Sequence, residues 1–264
     1  MKYGFIGTGN MANAMIGGMI GQGLAKGSSI IGSDQSAVCL ANIKDQYGIL
    51  TTADNQEVAK TADVVFLAIK PHFYSQVIQE IKDEVTEDKI LISLAPGKTL
   101  DWFTQQFGKS VKMVRTMPNT PALVGAGMTG VCANEEVTSE ELEVVLKVFC
   151  SFGKAEVVTE NLLDAVVTVS GSSPAYIFIL IEAMADAAVA EGMPRASAYE
   201  FAAQAVYGSA KMVLETGKHP GELKDMVCSP GGSTIEAVRV LEEKGFRSAV
   251  MAAMKACGEK SRRM

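Results

Sequence analysis

Gly7-Thr8-Gly9-Asn10-Met11-Ala12 is a G-x-G-x-x-A run between a short apolar stretch, Tyr3–Ile6, and a helical one. In a strand–turn–helix unit its three small residues have separate tasks. The first allows a tight turn, the second lets the backbone approach a pyrophosphate, and the third lets the helix lie close to the strand. The helix start then offers unpaired N–H groups and a positive dipole end to the phosphates. The run reads as a dinucleotide site with Ile6, Gly7, Thr8, Gly9, Asn10 and Met11 against the cofactor. The next strand closes on Gly32-Ser33-Asp34. An acid there accepts hydrogen bonds from the adenosine ribose hydroxyls and repels a 2′-phosphate, which leans toward NADH. Ser33 pulls toward NADPH, because a hydroxyl can donate to phosphate, while Lys44 is too far along its helix to help. Asp34 has a second reading, as the N-cap of a helix starting near Ser36. The cofactor is therefore NADPH or NADH.

Three further loops follow strands on the side where such sheets bind ligands. They are Ala68-Ile69-Lys70-Pro71, Ser93-Leu94-Ala95-Pro96-Gly97 and Met117-Pro118-Asn119-Thr120-Pro121. Lys70, Ala95, Gly97 and Pro118 are placed at the cofactor, and Asn119 at nicotinamide or substrate. Far downstream, Pro230-Gly231-Gly232-Ser233-Thr234 has the make-up of an anion holder. Paired glycines let successive N–H groups converge, and a helix starting at Ser233 adds its dipole. A plain helix start with Ser233 as N-cap fits the same residues. Thr234, on the first turn, carries a hydroxyl that can donate or accept. Ser170-Gly171-Ser172-Ser173-Pro174 leads into an apolar helix with Pro174 suited to the first position. Ser172 and Ser173 can serve either a carboxamide or the helix N–H groups.

Other chemistry is thinly represented. His72 and His219 are the only histidines, so a His-based zinc site is not expected. His219 reads as a loop residue, and Lys224 and Asp225 as surface or capping residues. Cys39, Cys132, Cys150, Cys228 and Cys257 are scattered and odd in number, which fits reduced thiols in a cytoplasmic protein. A net charge of -6 over 264 residues argues against nucleic acid as a partner. Tyr3–Ile6, although preceded by Lys2, is too short for the core of a leader. Ala175–Val189 is very apolar but carries Glu182 and Asp186, so a buried helix is preferred to a membrane span.

The elements that must position these groups fall into two halves. Tyr3–Ile6, Ser29–Gly32, Val64–Ile69, Ile90–Leu94, Lys112–Thr116 and Gly130–Ala133 read as strands. Ala12–Gln22, Gln35–Tyr47, Gln56–Lys60, Tyr74–Glu84 and Leu100–Phe107 read as the helices between them. Strands apolar on both faces indicate a parallel, doubly wound α/β sheet. Thr138-x-x-Glu141 announces a helix over Ser139–Phe152, and Lys154–Thr159 fits a last edge strand. From Leu162 only helices follow: Leu162–Val169, Ala175–Gly192, Ala196–Gly217, Pro220–Val227, Ser233–Lys244 and Phe246–Arg262. The expected domains are residues 1–161, a Rossmann-type unit, and residues 162–264, all helical. Two helices of the second half are apolar nearly all round and must be covered all round. A segment of that size cannot cover several such helices, so a subunit interface is expected; a three-layer monomer core is the alternative.

The chain resembles pyrroline-5-carboxylate reductases along essentially its whole length. The resemblance is carried by Phe5–Ala12, Val65–Pro71, Met117–Pro121, Ser170–Tyr176 and Pro220–Thr234. The G-S-x-P-A-Y and S-P-G-G-x-T runs, in that order and at that separation, are its specific part. Pro96 and Ser173 depart from residues common in the family (Ala and Gly) without removing a functional group. The resemblance implies a Rossmann domain followed by a helical dimerisation domain that interlocks with a partner copy, hence a homo-oligomer. It implies reduction of the cyclic imine L-1-pyrroline-5-carboxylate to L-proline, the last step of proline biosynthesis. It also implies that Thr234 hydrogen-bonds the ring nitrogen as the catalytic residue. Backbone N–H groups around Gly231, Gly232, Ser233 and Thr234 would take the substrate carboxylate, with Val227 and Ser172 at the pocket and Asn55 near the adenosine. A β-hydroxyacid dehydrogenase or other imine reductase is a competing reading, but those use a lysine on an interdomain helix and Ala175–Gly192 has none. A non-catalytic dinucleotide sensor would leave the Gly231–Thr234 loop without a purpose.

Overall fold

The computed structural model describes residues 1–263. Five βα units open the chain: β1 (Tyr3–Ile6), α1 (Asn10–Gly21), β2 (Ile30–Ser33), α2 (Ala37–Tyr47), β3 (Leu50–Thr52), α3 (Asn55–Thr61), β4 (Val64–Leu67), α4 (Tyr74–Ile81), β5 (Ile90–Ser93) and α5 (Leu100–Phe107). Then come β6 (Lys112–Met117), β7 (Gly127–Ala133), α6 (Ser139–Cys150), β8 (Gly153–Val157) and the short helix α7 (Leu163–Val166). The sheet order is β3-β2-β1-β4-β5-β6-β7-β8. All neighbours run parallel except β6 and β7, so the last two strands point back along the sheet. The order reverses between β1 and β4, and a doubly wound sheet opens its ligand crevice outside the strand ends at such a reversal.

Two apolar layers hold the sheet. Phe5 and Phe66, register partners on β1 and β4, stack with ring centres 4.5 Å apart, and Phe149 of α6 meets Phe66 edge-on at 6.4 Å. They share one face with Met15, Ile16 and Met19 of α1. Ile6, Val65 and Leu67 point the other way, against Val58, Tyr74, Ile78 and Phe103. Central strands buried on both faces are why the strand runs show no polar alternation. The expected capping box forms at α6, with Thr138 and Glu141 each accepting from the other's backbone N–H.

Three features differ from the sequence expectation. β3 has no counterpart there, being a three-residue edge strand whose Leu50 faces outward, too short to carry a period. After α7 the helix widens into a π-turn, Val167–Gly171, closed by Ser172 N–H donating to Val167 O at 2.8 Å. Finally, the compact units divide after Ser172 rather than after Asn161. The first holds Met1–Ser172 together with the C-terminal segment from Cys257; the second is Ser173–Ala256. The reason is packing: Leu163 and Val167 are buried, Leu163 and Val166 lie over Gly130 of β7, and Gly171 lies over Met117.

The second unit comprises α8 (Ser173–Ala190), α9 (Arg195–Thr216), α10 (Pro220–Val227), α11 (Ser233–Glu243) and most of α12 (Phe246–Ser261). Among its described residues only Ala185, Ala198 and Ala202 are buried apolar side chains, while Phe178 and Phe201 are 63% and 68% exposed. The continuous helical run Glu160–Ala190 is long and apolar enough to cross a membrane by length and composition. It carries Glu182 and Asp186, and Asp186 is ion-paired with Arg195 at the start of α9.

Candidate active site

A cavity of about 310 Å³ opens at the carboxyl ends of β1, β2 and β4. Gly7 turns the chain there at φ +94°; a Cβ on it would meet the Ala68 carbonyl oxygen at 2.5 Å, so only glycine fits. Gly7 N–H donates to Ser33 O and Ala68 N–H to Ile6 O, both at 2.8 Å, continuing the ladders past the strand ends. Gly9 is the N-cap of α1 and no side chain caps that helix. A Cβ on Gly9 would meet nothing within 4 Å, so the backbone faces open space where a pyrophosphate would approach. The residues fit a dinucleotide on that ground.

Of the residues expected at the cofactor, Ile6, Gly7, Gly9, Ser33, Asp34, Asn55, Ala68, Ile69 and Lys70 line this cavity. Thr8 is buried beside it, Asn10 begins α1, and Met11 packs against the core. Pro71 starts a 3-10 turn with Lys70 as its N-cap. Ala95 and Gly97 lie at a separate small hollow with Arg115, Thr116 and Met117.

Asp34 is not the N-cap of α2; Ser36 is, accepting from Cys39 N–H. The Asp34 carboxylate instead ties two turns together, Oδ2 accepting from Thr8 and Oδ1 from Ser36 N–H at 2.9 Å. Ser33 Oγ donates to Asn55 Oδ1 at 2.7 Å, and Asn55 Nδ2 donates to Glu80 Oε2 at 2.7 Å. Glu80, with Gln35, Phe73, Gln76 and Val77, completes the lining and was not foreseen. The helical spacing of Phe73, the N-cap of α4, with Gln76, Val77 and Glu80, directly after a Lys-Pro turn, is the signal that could have found them.

Asn119 is buried and both ends of its amide are engaged: Nδ2 donates to Ser170 O at 3.0 Å and Oδ1 accepts from Met128 N–H at 2.9 Å. It links the turn after β6 to β7 and to the π-turn. Pro118 beside it is buried as well. Ser172, just beyond the π-turn, accepts from Cys257 Sγ at 3.2 Å.

In the second unit, Gly231 adopts φ +68° and Gly232 is the N-cap of α11; Ser233 is therefore the first helical residue, not the cap. The Gly232 N–H donates to Ser229 O at 3.0 Å, which removes it from the set of N–H groups expected to face an anion. A Cβ on Gly232 would come within 2.5 Å of Ser229 Oγ, which explains the glycine. No side chain caps α11, so the N–H groups at Ser233 and Thr234 keep a positive helix end without a built-in carboxylate or hydroxyl acceptor. Thr234 and Val227 are exposed within the single chain. His219 is a helix cap: its Nδ1 accepts from Gly221 N–H at 3.0 Å, and Lys224 and Asp225 form an exposed ion pair.

The likeness to known proteins runs through both halves. Residues 2–97 match the model of the family described as NADP oxidoreductase, coenzyme F420-dependent, and residues 160–264 that described as pyrroline-5-carboxylate reductase dimerisation. The chain is 56% identical to the pyrroline-5-carboxylate reductase of Escherichia coli K12, over 100% of its own length and 98% of that protein's. The solved pyrroline-5-carboxylate reductase of Coxiella burnetii superimposes with a TM-score of 0.92 at 37% identity, covering 99% of this chain and 97% of that one. The Plasmodium falciparum pyrroline carboxylate reductase with NADP bound gives 0.90 at 32% identity, covering 100% and 97%.

Proposed function

The chain belongs to the pyrroline-5-carboxylate reductase family, and on that premise we propose how its residues divide the work of reducing L-1-pyrroline-5-carboxylate to L-proline with NADPH or NADH. The nicotinamide cofactor supplies the hydride that C5 of the ring receives. The β1–α1 turn holds the pyrophosphate through the open backbone at Gly9 and the uncapped start of α1. Ser33, Asp34 and Asn55 face the adenosine ribose, and Ala68, Ile69 and Lys70 close the crevice.

Main-chain N–H groups of Ser233 and Thr234 grip the substrate carboxylate, and the Thr234 hydroxyl holds the ring nitrogen and stands at the site where a proton is needed. The supporting observation is the bare N-terminus of α11. A helix start without its own acceptor is suited to an external anion, and here it carries the hydroxyl on its first turn. A protonated imine accepts hydride readily, so the chain need not provide a strong acid. That agrees with His219 being occupied as a helix cap. Catalysis then rests mainly on orientation, an effect that contributes about 7–11 kcal/mol in well-aligned systems.

The match of residues 160–264 to a dimerisation family supports a homo-oligomer. We assign the exposed apolar faces of α8 and α9 to that assembly, as a dimer or a set of dimers. Five unpaired cysteines support a reducing, cytoplasmic workplace. The acidic net charge speaks against nucleic acid, and Glu182 and Asp186 in α8 speak against a membrane.

Absorbance of NADPH followed with pyrroline-5-carboxylate, and of NADP formed into NADPH with 3-hydroxy acids, tests the reading. Oxidation with the cyclic imine is the expected result. Turnover confined to hydroxy acids would overturn it.

A further inference from the structure

Three strands of the sheet end side by side at Leu67 of β4, Ser93 of β5 and Thr116-Met117 of β6. Each runs into a loop; that after β4 lines the dinucleotide cavity, while that after β5 borders a separate hollow and is placed at the cofactor by its sequence position alone. Where strands diverge, carbonyls and N–H groups lose their ladder partners and need others. Here three buried hydroxyls take that place. The Tyr74 hydroxyl donates to Leu67 O at 2.6 Å and accepts from Ser93 Oγ at 3.2 Å and from Leu94 N–H at 3.3 Å. Ser93 Oγ in turn accepts from Ala95 N–H at 3.3 Å, and Thr116 Oγ donates to Ser93 O at 2.9 Å. Tyr74 and Ser93 are fully buried and Thr116 nearly so.

A hydroxyl has one hydrogen to give and two lone pairs to receive with. At Tyr74 all three are in use, and the hydrogens can run in only one order: Ala95 N–H to Ser93, Ser93 to Tyr74, Tyr74 to the Leu67 carbonyl. Leu67 immediately precedes Ala68-Ile69-Lys70, and Ala95 opens the loop to Gly97. The two loops are thus fastened to one phenol oxygen, whose ring is held by α4 and by an edge-on contact with Phe103 of α5 at 5.7 Å. Apolar side chains would fill this space without fixing either loop.

We propose that Tyr74, acting through Ser93, is a positioning residue for nicotinamide-dinucleotide binding, setting the Ala68–Lys70 and Ala95–Gly97 loops relative to each other. The proposal rests on the assignment of the dinucleotide to the β1–β2–β4 crevice. Tyr74→Phe keeps the ring and removes the oxygen; Ser93→Ala removes the middle link.

The test is NADPH affinity of the full-length enzyme by titration of its own fluorescence, beside steady-state kinetics and thermal unfolding. Each single variant is expected to raise the NADPH dissociation constant about tenfold, on the scale of a displaced binding group, with the KM for the cyclic imine little changed. The double variant is expected to be no worse than about the weaker single one, because both cut the same chain. Phe107→Leu loosens the same core away from the Tyr74 ring and the hydroxyls, and is expected to lower the melting temperature while leaving NADPH affinity as it was. An unchanged dissociation constant in both Tyr74→Phe and Ser93→Ala overturns the proposal, as does an equal loss in Phe107→Leu. Should Tyr74→Phe fail to fold, Ser93→Ala carries the same reading alone, and an unchanged dissociation constant in it overturns the proposal. A wild-type enzyme that binds neither NADPH nor NADH would instead sink the cofactor assignment itself.

Discussion

Asp34 Oδ2 accepts two hydrogen bonds from Thr8, one from its backbone N–H at 2.8 Å and one from its hydroxyl at 3.1 Å. With Ser36 N–H on the other oxygen, the carboxylate joins the glycine turn to the end of β2. Three of its roughly four acceptor positions are taken by the chain itself. Its negative charge nevertheless stays in the cavity wall, close to where the adenosine ribose is assigned.

Asp34→Asn keeps an acceptor for Thr8 and deletes that charge. A unit charge several ångströms from a 2′-phosphate, at the effective dielectric of a protein surface, amounts to about 1–2 kcal/mol. The ratio of kcat/KM for NADPH to that for NADH is expected to rise about 5- to 30-fold. A ratio that does not move, measured with both cofactors at fixed imine, would make Asp34 a loop tie and nothing more.

How far the sequence reaches depends on the distance over which a residue's partners are set. α5 and α10 lie where the helical stretches Leu100–Phe107 and Pro220–Val227 are expected, although their N-caps, Thr99 and His219, are not among the expected caps. Gly7 and Gly9 are legible because their run is local. The contacts Asp34 to Thr8, Asn119 to Ser170 and Tyr74 to Leu67 link separate turns, and nothing in the local pattern distinguishes them from ordinary loop or core residues. The π-turn was invisible because a helix and a widened helix share one apolar pattern over a single turn.

Thr234→Ala is expected to lower kcat/KM for the imine about 10- to 1000-fold, the range for one positioned hydrogen-bonding group. NADPH affinity and melting temperature are expected to hold, since Thr234 supports no packing within the chain. Steady-state kinetics beside a cofactor titration separates these; wild-type turnover in the variant would remove Thr234 from the mechanism.

Asn119 makes a different demand. Asn119→Ala leaves the Ser170 carbonyl and the Met128 N–H without their partner, at a cost of about 1–3 kcal/mol. Asn119→Asp should be worse, because a carboxylate would face the Ser170 carbonyl oxygen in a buried place. Urea unfolding is expected to rank wild type above Ala above Asp. Equal midpoints for Ala and Asp would mean that the amide donor is not what holds the π-turn.

Burial pushes the Tyr74 phenol up to about 12, against the opposing hydrogen bonds from Ser93 and Leu94. In the unfolded chain the same group ionises near 10. A raised value means the folded state keeps its proton longer, so this contribution to stability is whole below pH 10 and is lost as pH climbs to 12. The loss is on the order of 2–3 kcal/mol. Tyr74→Phe has no such proton, so its stability deficit against wild type is expected to shrink above pH 10. Urea midpoints that stay equally far apart from pH 8 to pH 11 would contradict this.

Phe178 and Phe201 stand on α8 and α9, whose apolar surface the single chain leaves largely uncovered. Covering a phenylalanine is worth about 1.5–3 kcal/mol, and a lysine in its place sets an unpaired charge in an apolar contact. Phe178→Lys and Phe201→Lys are therefore expected to shift the enzyme toward monomer on size exclusion at micromolar concentration. Exposed apolar helices released in this way should also bind a hydrophobic dye. If either variant eluted as wild type does, its helix face would lie outside the assembly, and the apolar character of that helix would need another cover.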